Sequence, residues 1–566
     1  MAGLKPRDGA IIAALAGIAV LLMAQSGFRR AVELMPWPDG LEYAASAVNL
    51  YNGRGAVLHF GGYSYPSRYT EGYPLILAAA FPILGHRVAE LGAVSVAMGI
   101  LALVALYILV LRMFGRTSAA VAGSIMAVSP VFVTYSTLVL SDIATLAVTI
   151  MAALALKRAT DAEEAREHTP ERSAALAYWA LCGVFAGFTV MIRPTNATML
   201  AGVALGLAVV RPPTLRQAVA GGIAFALGFL PFPVWQAHEN AVHLGGAFAS
   251  GYVFWVPEVY GVFSRTFNLS FLTGPTMPRN PGGNISVYLG AIAGLDGFTG
   301  FHLYPFGAAA FAAIGLGRAL RAPVNRASER VILFGLGFLA ALVALYLFYF
   351  FTDVVFILPA CFVLFAAAGY GATLANRSLA ARWGKSRRST RDRAIIAGAI
   401  SLDLIAALSI LGELNVRLSA APRESSMVPA MLALDRRIPA DATIASNISL
   451  QFLDLYVPGT NRSFIGLHSF DPGGDFTDYH LARLYAKRAQ GWSGPIPPAL
   501  FDGSGIVSAT AQSLAAQARS GKPIYLMIWE PDSAEYADTL KYEIDQLDER
   551  FTLEPVERVA PLQLYR

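Results

Sequence analysis

A series of long apolar runs, separated by polar segments, constrains this chain more than any other feature. Runs of this length match the hydrocarbon core of a bilayer, so we interpret eleven of them as transmembrane helices. They cover residues 10–27, 88–111, 117–135, 142–156, 174–192, 195–210, 218–236, 301–317, 331–350, 354–373 and 394–412. Because 55% of the residues are hydrophobic and only 14% are charged, the composition excludes an ordinary soluble domain. The sequence therefore predicts a polytopic α-helical membrane protein.

The distribution of basic residues predicts the orientation of these helices. Lys and Arg number 21 in the segments on the side of the N-terminus and 8 in the opposite loops, which are longer in total. Because positively charged loops stay in the cytoplasm, we predict a cytoplasmic N-terminus and an extracytoplasmic C-terminus. The basic segment 375–393 is then a cytoplasmic linker that touches anionic lipid, an interpretation we prefer to a nucleic-acid site.

Three segments are predicted to lie outside the cell membrane: residues 28–87, residues 237–300 and everything after 412. The first contains the apolar run "YPLILAAAFPIL", which is short for a span and suits an interfacial or re-entrant helix. The last has ordinary charge, with short strand patterns alternating with amphipathic helix patterns. We therefore divide the chain into a transmembrane domain, residues 1–412, and a small α/β domain, residues 413–566.

Two acids, Asp39 and Glu42, lie just beyond the first predicted span, in "MPWPDGLEYAASAVNLYNGRG". Asp39 has the position of a helix N-cap, and Glu42 follows three residues later, as in a capping box. An amphipathic helix on the membrane surface explains both residues in this way. The alternative is that Asp39 takes part in chemistry at the outer face of the membrane.

Further ionisable residues collect at the outer ends of the predicted spans, namely Arg68, Glu71, Asp142, Arg193 and Asp353. Structural alternatives exist, since the arginines could bind lipid headgroups and the aspartates could cap helices. Charged groups at the edge of a bilayer are nevertheless expensive unless they have a function. All five are therefore candidate site residues.

These residues stand in a pattern that resembles the GT-C membrane glycosyltransferases, in particular the branch that uses polyprenyl-phosphate sugars. That branch includes the protein O-mannosyltransferases and the aminoarabinose transferases of lipid A. Its members carry an acid in the first external loop, matched by Asp39, and then a polar segment with proline, matched by "RYTEGYPL". A second acid is matched by Asp142 in "LVLSDIATLAV", and a basic residue by Arg193 in "GFTVMIRPTNATML".

A late motif of the family is matched in part by "FFTDVVFILPA". Asp353 and Pro359 fit this motif, whereas Val355 stands where the family commonly has Arg. The resemblance covers roughly residues 10–412 and implies a GT-C type of fold.

The resemblance implies a donor whose polyprenyl chain lies in the bilayer and whose phosphate carries a sugar on the outside. An acceptor hydroxyl needs a base to remove its proton, and Asp39 is the candidate. Arg68 and Arg193 are candidates for binding the donor phosphate, because guanidinium groups bind phosphate oxygens bidentately. Glu71 would position the sugar or hold Arg68, and Asp142 is assigned to the donor site as well.

Several residues are weaker candidates. His59 and His302 are candidates for binding the donor phosphate or a metal, although lone histidines commonly make ordinary hydrogen bonds. Tyr69 belongs to a group, with Tyr63, Tyr65 and Tyr73, that either forms an aromatic belt or lines a sugar-binding face. Glu42 and Asp353 complete the secondary candidates. A divalent cation, Mg²⁺ or Mn²⁺, held by Asp39 and Asp142 is left open, since relatives differ in their use of metal.

The sequence thus predicts a glycosyltransferase of a bacterial inner membrane that acts on a lipid, glycan or protein acceptor in the periplasm. The alternatives are a transporter or flippase for an envelope glycan and a non-catalytic membrane scaffold. Transporters commonly bury ionisable residues at the midplane and repeat their halves, whereas here the acids gather at the outer ends of the spans. This pattern favours surface chemistry.

Overall fold

A computed structural model of the chain describes most of the sequence. The described residues are 5–24, 38–85, 88–165, 172–210, 214–277, 282–295, 303–304, 307–383, 427–457, 462–467, 479–501, 506–530 and 534–566. The last predicted span, 394–412, and the predicted domain boundary at 412 lie outside these residues.

Helices dominate the first part of the chain. They are α1 (Pro6–Met23), α2 (Pro38–Tyr51), α3 (Gly72–Leu84), α4 (Val88–Phe114), α5 (Arg116–Ala127), α6 (Pro130–Tyr135), α7 (Ser141–Ala165), α8 (Arg172–Ile192), α9 (Met199–Val209), α10 (Leu215–Phe229), α11 (Pro231–Leu244), α12 (Gly251–Trp255), α13 (Pro257–Tyr260), α14 (Phe263–Thr266), α15 (Gly283–Ala293), α16 (Ala308–Arg321), α17 (Arg326–Tyr346) and α18 (Phe362–Trp383). Short 3-10 helices cover Pro194–Thr198, Leu269–Leu272 and Val354–Ala360.

Each of the ten predicted spans that the structure describes, in whole or in part, coincides with helix. Among the described residues, six helices are long and apolar enough to cross a membrane. A seventh span arises if Val354–Ala360 and Phe362–Ser378, which meet at a bend of 68°, are counted together. The other predicted spans are shorter helices or are interrupted, as at Val128 and Ser129 between α5 and α6. The chain is therefore a multi-pass membrane protein.

Close helix contacts in the bundle depend on glycine. A Cβ atom at Gly315 of α16 would lie 1.9 Å from the carbonyl oxygen of Ala367 in α18, and one at Gly371 of α18 would lie 1.9 Å from that of Phe311. The two backbones therefore touch at both glycines, as small residues allow in membrane helices.

Replacing Gly315 with alanine is expected to lower the free energy of unfolding by about 1–3 kcal/mol, because overpacking must push α16 and α18 apart. Gly317→Ala is the matched control, since a Cβ atom there meets nothing within 4 Å. Thermal unfolding in detergent measures both variants. Equal melting temperatures for the two would contradict the packing described here.

The final part of the chain is a mixed sheet with flanking helices, as predicted. Its strands are β3 (Thr443–Ser446), β4 (Ser463–Gly466), β5 (Ile524–Trp529), β6 (Pro555–Val559) and β7 (Leu562–Tyr565), in the spatial order β4-β3-β5-β7-β6. Its helices are α19 (Met427–Asp435), α20 (Leu450–Tyr456), α21 (Tyr479–Ala489), α22 (Ser508–Arg519) and α23 (Ala534–Asp548). The parallel pairs β4-β3 and β3-β5 are joined through helices, whereas β6 and β7 form an antiparallel hairpin.

A small hairpin, β1 (Val57–Phe60) and β2 (Tyr63–Pro66), lies between α2 and α3 and was not predicted. It connects the helical part to the C-terminal sheet domain. The hydroxyl of Tyr65 donates to the carbonyl oxygen of Pro495 at 2.9 Å, and α20 packs on β1. The loops between α2 and α3 therefore lie between the membrane helices and the C-terminal domain.

Candidate active site

A buried ion pair joins two consecutive membrane helices at the end of the bundle nearest the hairpin. Asp142 lies in the first turn of α7 and is 2% exposed, and Arg193 directly follows the last residue of α8. Their Oδ1 and Nη1 atoms are 2.5 Å apart. Consecutive antiparallel helices bring the start of one beside the end of the next, and an acid is favourable at a helix N-terminus. Asp142 therefore holds the guanidinium group of Arg193 in place.

A second carboxylate holds Arg68. Glu42 is completely buried, and its Oε1 accepts from the backbone N–H of Arg68 at 2.5 Å and from the hydroxyl of Ser67 at 3.2 Å. The Nε atom of Arg68 donates to Oε2 at 2.6 Å. Burial raises the pKa of Glu42, but the charge of Arg68, the nearby His480 side chain and the hydrogen bond from the backbone of Arg68 outweigh it and lower the pKa to about 2. Glu42 therefore stays ionised and fixes the guanidinium.

Asp39 remains accessible beside this pair. It lies in the first turn of α2, its side chain is 50% exposed, and its Oδ1 is 3.7 Å from Nη2 of Arg68. Since α2 begins at Pro38, Asp39 is inside the helix and not at the N-cap. The capping-box interpretation of Glu42 is wrong, because Arg68 and Ser67 take its oxygens. Arg68 thus faces one buried carboxylate and one exposed carboxylate.

Arg68 and Arg193 both line one cavity of about 590 Å³. Their side chains are 15% and 22% exposed. Loops after β2 and after α8, together with α11, α12 and the end of α17, form its wall. The cavity is therefore a recess lined by two guanidinium groups, each paired with a carboxylate.

Tyrosines form much of the remaining wall. They are Tyr43, Tyr69, Tyr252, Tyr260, Tyr346 and Tyr349. The rings of Tyr43 and Tyr69 lie 4.4 Å apart, and those of Tyr252 and Tyr260 lie 4.8 Å apart. Such faces offer an apolar surface with hydroxyl groups at its edge, which suits a sugar ring. Tyr69 thus lines the cavity, and its role in binding a sugar stays a prediction.

The other tyrosines of the first loop have different surroundings. Tyr65 and Tyr73 are buried within the protein, and the hydroxyl of Tyr73 meets that of Ser95 at 2.9 Å. Tyr63 is 41% exposed on the hairpin. Neither of the two interpretations, belt or sugar face, fits the buried pair.

Glu71 does not hold Arg68, contrary to one of its predicted roles. It is 4% exposed and faces Glu239 of α11, while its backbone N–H donates to Oε1 of Gln236 at 3.3 Å. Burial, followed by the charge of Glu239 and a hydrogen bond with it, raises the pKa of Glu71 to about 8. Arg68 pairs with Glu42 of α2, because the chain after β2 brings its backbone N–H and its guanidinium to that carboxylate. Glu71 is therefore a protonated acid at neutral pH.

This carboxyl makes stability dependent on pH. Between the ordinary pKa of 4.5 and about 8, folded Glu71 keeps a proton that the unfolded chain releases, so stability falls as pH rises through this window. Glu71→Gln removes the effect and is expected to be more stable than the parent by on the order of 2 kcal/mol at pH 8. The difference should shrink towards pH 5. Melting temperatures at both pH values test this, and a difference that is constant or grows towards pH 5 would contradict it.

The remaining candidates lie apart from the cavity or outside the described residues. Asp353 caps the 3-10 helix that follows it, with Oδ1 accepting from the N–H of Val355 at 3.0 Å and Oδ2 from the hydroxyl of Tyr135 at 2.8 Å. His59 lies on β1, where Nδ1 meets the hydroxyl of Ser64 at 3.2 Å. His302 lies outside the described residues. Asp353 thus has the capping role that was its alternative.

A metal site can be tested on the same residues. Within the described ranges, no three His, Cys, Asp or Glu side chains gather in a way that could hold a metal ion. Asp39 and Asp142, the two candidate ligands, each face an arginine at 3.7 and 2.5 Å. Both aspartates are therefore placed to interact with guanidinium groups.

Sequence reasoning missed the tyrosines of the later segments. Tyr252 and Tyr260 lie in the aromatic segment "GYVFWVPEVYGVF", whereas Tyr346 and Tyr349 lie at the end of a predicted span. The density of aromatic residues in these segments was the available signal. It could not distinguish a cavity wall from residues facing lipid.

Part of the chain matches a known family, and its fold is similar to that of solved structures. Residues 72–236 match the family described as dolichyl-phosphate-mannose-protein mannosyltransferase. The structure of ArnT from Cupriavidus metallidurans bound to undecaprenyl phosphate superposes with a TM-score of 0.61 and 13% identity, covering 98% of this chain and 97% of that one. The archaeal oligosaccharyltransferase AglB from Archaeoglobus fulgidus, in complex with an inhibitory peptide and a dolichol-phosphate, gives a TM-score of 0.55 and 13% identity, with 99% and 74% covered. A search of curated proteins finds no match.

The matched segment runs from α3 into α11 and includes both Asp142 and Arg193. The two solved structures cover 98% and 99% of this chain. At 13% identity, this similarity establishes a shared fold. Residues 72–236 match the dolichyl-phosphate-mannose-protein mannosyltransferase family, and the chain has the polytopic membrane fold of the ArnT and AglB structures.

Proposed function

We propose that this protein transfers a monosaccharide from a polyprenyl phosphate to a hydroxyl group of an acceptor. The observation that carries the proposal is the cavity lined by Arg68 and Arg193, each held by a buried carboxylate, with the accessible carboxylate of Asp39 3.7 Å from Arg68. Two proteins of similar fold are described in complex with undecaprenyl phosphate and with a dolichol-phosphate. A polyprenyl phosphate is therefore the donor class we infer.

The two arginines supply the charge that such a donor requires. When the sugar leaves, a phosphate diester becomes a monoester and gains negative charge at the oxygen that carried the sugar. Cations that are already fixed in place stabilise this charge without rearranging during the reaction. Glu42 and Asp142 fix Arg68 and Arg193, and each guanidinium still reaches the cavity.

Asp39 is the group we assign to the acceptor. Its carboxylate takes the proton of the acceptor hydroxyl as that oxygen forms a bond to the anomeric carbon. The bond from the anomeric carbon to the phosphate oxygen breaks, and its electron pair remains on the polyprenyl phosphate. Arg68, 3.7 Å from Asp39, connects the base with the phosphate-binding wall.

We assign the site to the outer face of a bacterial inner membrane, with the N-terminus in the cytoplasm. The excess of Lys and Arg in the loops on the opposite side supports this orientation. The C-terminal domain then lies in the periplasm above the cavity, where it covers the site or contacts the acceptor, which is a lipid, a glycan or a protein. The helices α10 and α11 expose apolar side chains such as Leu215, Leu227 and Val234, which suits contact with lipid.

A transfer assay with defined donors tests the proposal. Purified protein in bilayers is supplied with undecaprenyl phosphates that carry mannose, glucose or aminoarabinose, together with envelope extract as acceptor. Mass spectrometry then measures the undecaprenyl phosphate that is released. Release from at least one donor, dependent on acceptor, is the expected result. Absence of release from any lipid-linked sugar, in protein that is folded, would overturn the proposed function.

A further inference from the structure

One helix of the C-terminal domain directs a row of three side chains at the loop region beside the cavity. His480, Arg483 and Lys487 of α21 stand three and then four residues apart, so they share one face of the helix. All three meet the short segment 254–258. The ring of His480 lies edge-on to Trp255 at 4.5 Å, Arg483 pairs with Glu258, and Nζ of Lys487 lies 4.1 Å from the centre of the Phe254 ring.

His480 also reaches past this segment to Glu42. Its Nε2 lies 3.7 Å from Oε2 of Glu42, and its side chain is 7% exposed. Trp255, which packs against it, is fully buried and donates from Nε1 to the carbonyl oxygen of Pro66 at 2.8 Å. The imidazole is therefore held in place by aromatic packing while its nitrogen faces the carboxylate that binds Arg68.

The charges around Arg68 explain why Glu42 benefits from a second polar neighbour, His480. Arg68 faces two carboxylates, with Glu42 at 2.6 Å and Asp39 at 3.7 Å. One guanidinium cannot compensate two ionised carboxylates, and Glu42 has no exposure to water. The Nε2 atom of His480 faces Glu42 at 3.7 Å, and an N–H group there reduces this imbalance. With His480 beside Glu42, the N–H groups of Arg68 that do not bind Glu42 can interact with Asp39 and with a ligand in the cavity.

We propose that His480 is a positioning residue, through which the C-terminal domain sets the orientation of Arg68 by way of Glu42. This inference rests on the proposed function, because it treats Arg68 as a ligand for the donor phosphate. The C-terminal domain is then a component of the donor site as well as a cover above it. The acting residue lies more than four hundred positions from Arg68 in the sequence.

The experiment measures the affinity of the full chain in nanodiscs for undecaprenyl phosphate. His480→Ala is expected to weaken binding about ten-fold, since the electrostatic contact of the imidazole with the charged carboxylate of Glu42 is lost. His480→Gln, which keeps a donor, should restore affinity to within about three-fold of the parent. Arg483→Ala is the matched control on the same helix face, and its half-exposed pair with Glu258 should leave affinity unchanged.

A double-variant cycle separates positioning from a general structural effect. In a Glu42→Gln/Arg68→Ala background, which removes both charges of the buried pair, His480→Ala should cause no further loss, because the path through Glu42 and Arg68 is already broken. Parental affinity of His480→Ala, or an equal loss in the Glu42→Gln/Arg68→Ala background, would overturn this inference alone. Failure of the parent chain itself to bind undecaprenyl phosphate would overturn the proposed function and this inference with it.

Discussion

Replacing Asp39 with asparagine is expected to reduce sugar transfer by about 10²–10⁴-fold, the range that a positioned general base contributes. Asparagine has nearly the same shape, but it cannot take the proton of an acceptor hydroxyl. Because Asp39 is half exposed and its contact with Arg68 is 3.7 Å, folding should be little affected. The measurement is the rate of release of undecaprenyl phosphate from a competent donor.

Two companion measurements make this result specific to the base. The Asp39→Asn variant should bind undecaprenyl phosphate within about two-fold of the parent, since Glu42 and not Asp39 holds Arg68. Asp39→Glu should recover part of the rate, because it restores a carboxylate at a slightly different distance. Transfer by Asp39→Asn at the parental rate would show that another group, or no base at all, serves the acceptor.

Loss of Arg193 is expected to have the second large effect, on the donor. Arg193→Lys keeps a positive charge beside Asp142 but loses the planar fork that binds two phosphate oxygens. We expect affinity for undecaprenyl phosphate to fall about ten-fold in Arg193→Lys and about 100-fold or more when the cation is removed. Isothermal titration in nanodiscs measures both.

Removing the charge of Arg193 requires a second substitution at Asp142. Arg193→Ala alone would leave Asp142, 2% exposed, without its counter-charge and would endanger folding. The double variant Asp142→Asn/Arg193→Ala removes both charges, and Asp142→Asn alone is its control. If the double variant binds undecaprenyl phosphate as Asp142→Asn does, Arg193 has no part in binding the phosphate.

The pairing of Asp142 with Arg193 is a feature that the sequence could predict. Both residues lie at the same end of consecutive predicted spans, and antiparallel neighbours bring these ends together. The apolar runs likewise located the helices, because a bilayer permits few other backbone structures in such a segment. The lengths of the helices were harder to predict from the sequence, since breaks such as the one between α5 and α6 depend on packing.

The roles of Glu42 and Glu71 could not be read from the sequence in this way. A local rule assigned Glu42 to a capping box, but the loop after β2 returns over α2 and brings Arg68 to it. Glu71 was assigned to the sugar or to Arg68. It meets Glu239 of α11 and not Arg68, while its role towards the sugar stays a prediction. Both outcomes depend on how loops fold over helices. His480 is more distant still, since only the docking of α21 brings it near Glu42.

The most direct test of the account is native mass spectrometry of the protein purified from its own membranes. We predict a retained polyprenyl phosphate, with or without the mass of a hexose or pentose, that is lost from the double variant Arg68→Lys/Arg193→Lys. The adduct would also name the donor class. Retention of ordinary phospholipid alone, even after polyprenyl phosphate is supplied in excess, would contradict the assignment of this cavity to a lipid-linked sugar.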